Sequence, residues 1–171
     1  MLKKHIFLVG FMGVGKTTNG KKLAQALKSS FVDLDELFVE REGISITDYF
    51  KAHGEDNFRL KEREILQQLT TLEPAVIATG GGAPCFFDNM EWMNNNGITI
   101  YLQIPATALA QRLAASKRHK RPLIQHLNEE EIFDFINEKM LHRHPFYTKA
   151  HYHVDVLDLN IKNLIQELSL Q

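Results

Sequence analysis

A stretch of eight residues limits this chain more than any other. Gly10-Phe11-Met12-Gly13-Val14-Gly15-Lys16-Thr17 fits the pattern G-x-x-x-x-G-K-[ST] of a phosphate-binding loop. Such a loop works only between a strand and a helix. The apolar run Ile6-Phe7-Leu8-Val9 reads as a buried strand leading in, and a helical pattern from near Gly15 through Leu23, Ala24 and Leu27 leads out. The glycines let the backbone curl so that its N–H groups point inward, and the helix N-terminus adds partial positive charge at the same place. The backbone of Gly13, Val14, Gly15, Lys16, Thr17 and Thr18 is therefore expected to line the phosphates of ATP. Lys16 should reach the β- and γ-phosphates, and the Thr17 hydroxyl should ligate Mg²⁺.

Beyond the loop, strand and helix signals alternate. This predicts a three-layer α/β/α fold with a central parallel β-sheet. The expected strands are Ile6 to Val9, Phe31 to Asp35, Ala75 to Thr79, Ile98 to Leu102 and Tyr152 to Val156. Helical patterns cover residues 15–28, most of 36–72 with breaks near Gly43 and Gly54, 106–115, a stretch capped by Asn128 with Glu131 in the capping-box position, and 161–168. Leu60, Ile65, Leu66 and Leu69 share a helical stripe, and Asn94-Asn95-Asn96-Gly97 reads as a turn.

Net charge of −1 over 171 residues gives no global basic field, so any anionic ligand must be held by local cations. No apolar run approaches the roughly 20 residues of a membrane span. These features predict a cytoplasmic protein that binds neither nucleic acid nor membrane. Cys85 is the single cysteine and has no partner for an intrachain disulfide.

Several groups are placed for chemistry. Asp33 and Asp35 stand at i and i+2, on one face at the end of the second strand, where ligands bind in open α/β sheets. They also fit a helix cap plus a solvated acid. Gly80-Gly81-Gly82 follows a strand at the same edge and allows close backbone approach to a ligand, or is a flexible turn. Taken alone, Arg59 reads first as pairing with an acid on a solvated helix face, and Arg143 as part of an ordinary helix end. Ser116-Lys117-Arg118-His119-Lys120-Arg121-Pro122 is a basic run open to three readings: solvated loop, nucleic-acid patch or lid.

In this order, the phosphate loop, Asp33-Leu34-Asp35, Phe58-Arg59 with Glu62, Gly80-Gly81-Gly82, Arg121-Pro122-Leu123 and Arg143-x-Pro-x-Tyr147 resemble the shikimate kinase family across nearly the whole chain. The resemblance implies a P-loop NTPase fold of the nucleoside monophosphate kinase type. It implies one kinase domain over residues 1–171, with a substrate-binding helical segment at about 36–62 and a lid at about 116–124. The implied reaction is ATP-dependent phosphorylation of the shikimate 3-hydroxyl, with Mg²⁺, by a monomer. By resemblance, Arg59 and Arg143 grip the shikimate carboxylate and Asp35 binds its ring hydroxyls. Gly81 and Gly82 give backbone contacts, and Asp33 belongs to the Mg²⁺ environment. Arg121 closes onto the ATP phosphates, and Arg112 stacks on the adenine. Lys16, Asp35 and Arg121 are thus the expected catalytic residues. A gluconate or nucleoside monophosphate kinase, or a non-catalytic nucleotide-binding module, are the competing readings.

Asn19 and Lys149 depart from the family pattern and touch no assigned role. His142 with His144 and His151 with His153 invite a metal reading, the latter pair sharing a strand face. Too few ligands converge to support it. Trp92 is expected to pack in the core, and Cys85 to lie near the pocket as a plain thiol.

Overall fold

The computed structural model describes residues 2–116 and 123–169. Five parallel strands form one sheet: β1 (His5–Val9), β2 (Ser30–Asp33), β3 (Ala75–Ala78), β4 (Gly97–Gln103) and β5 (Tyr152–Asp155). Their spatial order is β2-β3-β1-β4-β5. The described helices are α1 (Lys16–Leu27), α2 (Leu34–Glu42), α3 (Ile46–Gln68), α4 (Asn89–Asn96), α5 (Ala106–Ala114), α6 (Glu129–Tyr147) and α7 (Ile161–Ser169).

The pattern of β1 explains the layers. Every residue of the strand is buried. Phe7 and Val9 enter a core with α2 and α3, while Ile6 and Leu8 enter another with α1 and α7. A strand covered on both faces must be apolar throughout. A third cluster joins Phe11 of the loop to Leu109 and Leu113 of α5, Ile124, and Ile132 and Ile136 of α6. β1 lies between β3 and β4. The chain leaves β1 toward β2 on one side and later crosses from β3 to β4 on the other. That reversal opens a crevice at the carboxyl ends of β1 and β3, where ligands of such sheets bind.

Most expected elements occur within two residues of their predicted bounds, and three local readings need correction. Asp35 does not extend β2. The strand stops at Asp33, whose Oδ1 accepts from the backbone N–H of Asp35 at 3.1 Å and of Glu36 at 3.4 Å. Asp33 is therefore the N-cap of α2, and Asp35 sits in its first turn. Asn94 to Asn96 form no turn. They end α4, a helix the sequence pattern did not reveal, and Gly97 already belongs to β4. Leu60 is 54% exposed, while Ile65, Leu66 and Leu69 are buried as the stripe predicts.

The breaks in the long helical stretch fall where expected. Gly43 caps α2 in the left-handed region, and Gly54 kinks α3 with φ of 78° and ψ of 170°. The kink lies one turn before Arg59. α6 begins with the reciprocal cap between Asn128 and Glu131.

Candidate active site

The loop from Gly10 to Lys16 leaves β1 and turns into α1. Gly13 has φ of 79°, and a methyl built there would sit 2.4 Å from Leu113 Cδ2. The left-handed φ strains any side chain there, and Leu113 would have to shift to admit one. Lys16 Nζ donates to the carbonyl of Gly10 at 2.7 Å and of Phe11 at 2.9 Å, so the ammonium is folded over the loop it serves. Thr17 Oγ1 donates to Asp33 Oδ2 at 2.7 Å. Arg112, from the last turn of α5, donates to the Val14 carbonyl at 3.1 Å.

A cavity of about 630 Å³ opens over this loop and is lined by Lys16, Thr17, Asp33, Asp35, Gly81 and Arg112, among others. Gly13, Gly15 and Thr18 also face it, whereas Val14 is buried beneath. Asn19 belongs to the same wall, 3.0 Å from a methyl built on Gly15. This corrects the expectation that Asn19 touches nothing functional. It stands one turn into α1 and points back toward the loop, a register the motif itself does not encode. A cavity of about 670 Å³ at the opposite edge of the sheet, lined by Leu2, Leu27 and Ile165 among others, contains none of these groups.

The glycine turn after β3 is where the remaining groups meet. A methyl on Gly80 would lie 2.8 Å from Asp35 Oδ1 and 2.9 Å from Glu62 Oε1. One on Gly81 would lie 3.2 Å from an Arg143 terminal nitrogen, 3.5 Å from the Met12 nitrogen and 3.6 Å from the Gly10 carbonyl oxygen. One on Gly82 would lie 2.6 Å from an Arg59 terminal nitrogen. Three helices, α2, α3 and α6, therefore aim four polar side chains at three consecutive residues, directly beside the phosphate loop. Tyr147, at the end of α6, donates its hydroxyl to the Gly81 carbonyl and fixes the turn from behind.

Arg59 makes the ion pair that its sequence suggested, though not on a solvated face. It makes an ion pair, but a buried one: its NH1 donates to Glu62 Oε2 at 2.8 Å, with both side chains almost wholly out of solvent. Its NH2 lies 3.3 Å from Glu55, whose side chain is exposed. Arg143 sits over the Phe11 ring at 5.4 Å. A charge-rich cluster this enclosed shifts its own titrations. Burial raises the Glu62 carboxyl to about 7, with Arg59 opposing the rise. Asp35 is also raised, first by enclosure within the cavity walls and then by the Asp33 charge, with Lys16 and Arg59 pulling it back. Asp35 itself remains open to solvent.

Sequence reasoning named Glu62 only as part of a motif. Its three-residue spacing from Arg59 on a helix was the available signal. Glu55 was missed, although its four-residue spacing from Arg59 carried the same signal. Arg121 lies outside the described residues, as does most of the basic run. Leu123 and Ile124 just beyond it are described, and Ile124 is buried among α5 and α6.

The residues set aside earlier have ordinary places. His151 precedes β5 instead of sharing its face with His153. Its Nδ1 accepts from the Thr99 N–H at 3.2 Å, and His153 Nε2 lies 3.1 Å from the Thr148 carbonyl. Trp92 packs its ring edge-on at 6.0 Å from Phe7. Lys149 lies over Phe146 at 5.4 Å. Cys85 is half-buried behind the glycine turn, and burial pushes its thiol up to about 11.

With this geometry in view, comparisons with known proteins agree closely. The model of the family described as shikimate kinase matches residues 12–170. The shikimate kinase of Phocaeicola vulgatus is 44% identical over 162 residues, covering 95% of this chain and 92% of that protein. The crystal structure of shikimate kinase from Bacteroides thetaiotaomicron superposes with a TM-score of 0.88 at 41% identity, covering 98% of this chain and 97% of the other. Shikimate kinase from Acinetobacter baumannii, solved in complex with shikimate, superposes with a TM-score of 0.82 at 35% identity over 97% of this chain and 90% of the other. The chain belongs to the shikimate kinase family.

Proposed function

We propose that this chain transfers the γ-phosphoryl group of ATP to the 3-hydroxyl of shikimate, with a defined division of labour among its residues. One observation carries the reading. Asp35, Arg59 and Arg143 converge on the glycine turn at Gly80 to Gly82, and that turn lies against the phosphate loop at Gly10 and Met12. An acidic, polyhydroxylated acceptor held there would present a hydroxyl to a nucleotide held by the loop.

On the donor side, the loop N–H groups from Gly13 to Thr18 bind phosphate oxygens. Lys16 exchanges the Gly10 and Phe11 carbonyls for the β- and γ-phosphates and stabilises the charge on the transferring group. Arg112 stands on the nucleotide wall, and Arg121 is assigned to the phosphates by family resemblance alone. Thr17 and Asp33 offer a hydroxyl and a carboxylate oxygen 2.7 Å apart. An all-oxygen pair of this kind suits Mg²⁺, a hard cation that keeps several waters. When bound, the ion would neutralise charge between the phosphates.

On the acceptor side, two planar guanidinium forks fix one carboxylate in one orientation, which selects among the three ring hydroxyls. Asp35 accepts a hydrogen bond from the reacting hydroxyl. Its raised pKa makes it a better acceptor for the proton released as the new P–O bond forms. Gly81 and Gly82 bring backbone close to the substrate. The helical segment from about 36 to 62 is the acceptor-binding part of a single domain, and the chain acts as a monomer. We assign the reaction to the cytoplasm, the compartment that supplies ATP.

A coupled assay of ADP release tests this. Shikimate should stimulate release with Mg²⁺ and ATP present, and gluconate and nucleoside monophosphates should not. Stimulation by one of those others and none by shikimate would overturn the assignment.

A further inference from the structure

The geometry points to Phe86 as the positioning residue that sets the plane of the Arg59 guanidinium, with Phe87, Asp88 and Arg63 clasping Phe86 in place. This rests on the reading of Arg59 as a carboxylate-binding residue.

A guanidinium carries five N–H donors. Those of Arg59 are partly committed: Nε and NH2 face Glu55 at 3.4 and 3.3 Å, and NH1 donates to Glu62 at 2.8 Å. One N–H remains on each terminal nitrogen. A methyl built on Gly82 would meet NH2 at 2.6 Å, NH1 at 2.9 Å and Cζ at 3.0 Å, so the terminal end of the guanidinium lies against the glycine turn. A fork binds a carboxylate well only when its plane matches that of the ligand. In-plane hydrogen bonds on two edges place the group but leave it free to tilt. Tilt is limited by what lies on its faces. Phe86 lies 4.2 Å from Cζ, nearer than Phe58 at 4.9 Å and Phe50 at 6.0 Å.

The segment carrying Phe86 is held with unusual care. Pro84 stands in the short 3-10 turn Ala83–Cys85 and is buried. Asn89 donates its side chain to the Ala83 carbonyl at 2.9 Å and its N–H to the Phe86 carbonyl at 3.2 Å. Phe87 has φ of 52°, a left-handed conformation that an aromatic residue rarely adopts. The consequence is visible on α3. Arg63, one turn beyond Arg59, lies over Phe87 at 5.1 Å and pairs with Asp88 at 2.7 Å. Two arginines four residues apart on one helix face thus meet two successive phenylalanine rings. In an extended segment, successive rings would point to opposite sides. The outer contact is not core packing, since Phe87 is 49% exposed. Strain in an exposed aromatic residue is accounted for if it aligns Phe86 with Arg59.

Steady-state kinetics on Phe86→Leu, Phe86→Tyr and Arg63→Met tests the inference. Phe86→Leu keeps bulk and removes the π face, so the KM for shikimate should rise about 5- to 20-fold. Its kcat should stay within about twofold and its KM for ATP should not move. Phe86→Tyr restores the face and should restore the KM. Arg63→Met loosens the clasp and should raise the shikimate KM about two- to fivefold. Urea unfolding shows which variants are folded, and Arg63→Met carries the test if Phe86→Leu is not. An active parent whose folded Leu or Met variant keeps its shikimate KM, or a Leu variant that loses kcat and both KM values together, overturns the inference alone. A parent that turns over no shikimate overturns the functional assignment and this inference with it.

Discussion

Eight consecutive residues, Gly10 to Thr17, make the donor loop, whereas Asp35, Arg59 and Arg143 reach the acceptor turn at Gly80 to Gly82 from three separate helices. In the proposed reaction the donor loop works through backbone N–H groups whose direction follows from local conformation and from α1 behind it. Its one charged side chain, Lys16, is held by carbonyls five and six residues away. The acceptor turn works through side chains that hold one another. Glu62 holds Arg59, Tyr147 holds the Gly81 carbonyl, and Phe11 of the donor loop lies beneath Arg143. A locally built site answers mainly to changes within its own segment. A site assembled from distant residues answers to changes anywhere along its supports, and its charges perturb each other because they are enclosed.

The largest expected effect tests the donor half. Lys16→Ala should lower kcat by about a thousandfold or more, since it removes charge stabilisation from the transferring group. Shikimate binding, measured by calorimetry, should be unchanged if the two halves are separable. Near-normal turnover by a folded variant would break the donor assignment.

Next comes the residue between the halves. Asp35→Asn can still accept a hydrogen bond but cannot take a proton, so kcat should fall about 100-fold with a smaller loss of affinity. A loose transition state asks little of a base. Equal losses in kcat and affinity would therefore sharpen Asp35 into an orienting group.

Smaller losses are expected in the acceptor forks. Arg59→Lys and Arg143→Lys keep the charge and lose the planar fork, and each should weaken shikimate binding by about 1.5–3 kcal/mol. ATP binding should barely change. Parent-like shikimate affinity in both would place the acceptor pocket elsewhere.

The smallest effect is on stability and reads the enclosure directly. The Glu62 carboxyl titrates at about 7 in the fold, against 4.5 when exposed. Across that window the folded chain keeps a proton that the unfolded chain has released. This group therefore makes stability fall as pH rises from about 4.5 to about 7. Glu62→Gln should flatten that part of the profile, read as urea midpoints across the same range. A parallel profile in the variant would show that the cluster is better hydrated than its burial implies.

How much of this could be read from residues alone follows the same division. The loop, its strand and its helix were legible because each is a local pattern with a local cause. So were both breaks in the long helical stretch, since glycine alone marks them. The end of β2 was misread because Asp33 caps a helix, and a cap and a strand end look alike when strand and helix abut without a loop. α4 went unseen because its eight residues include four asparagines, which suggest a turn when the packing of Met90 and Met93 is unknown. Glu62 was visible as a neighbour of Arg59, but not as a buried partner. The clasp at Phe86 to Asp88 gave no sequence signal, because its partners lie more than twenty residues away on α3.

The sequence by itself determined that this chain carries a phosphate loop between strand and helix, that a parallel sheet with helices on both faces surrounds it, and that a particular order of acidic, basic and glycine positions follows. Those properties depend on spacing and on the conformational limits of single residues. Only the tertiary structure decided that Asp35, Glu62, Arg59 and Arg143 share one glycine turn, that Asn19 joins the cavity wall, and that a buried carboxyl titrates near neutrality. These depend on distances between residues far apart in the chain and on the water excluded when they meet, and neither quantity exists until the sheet brings its edges together.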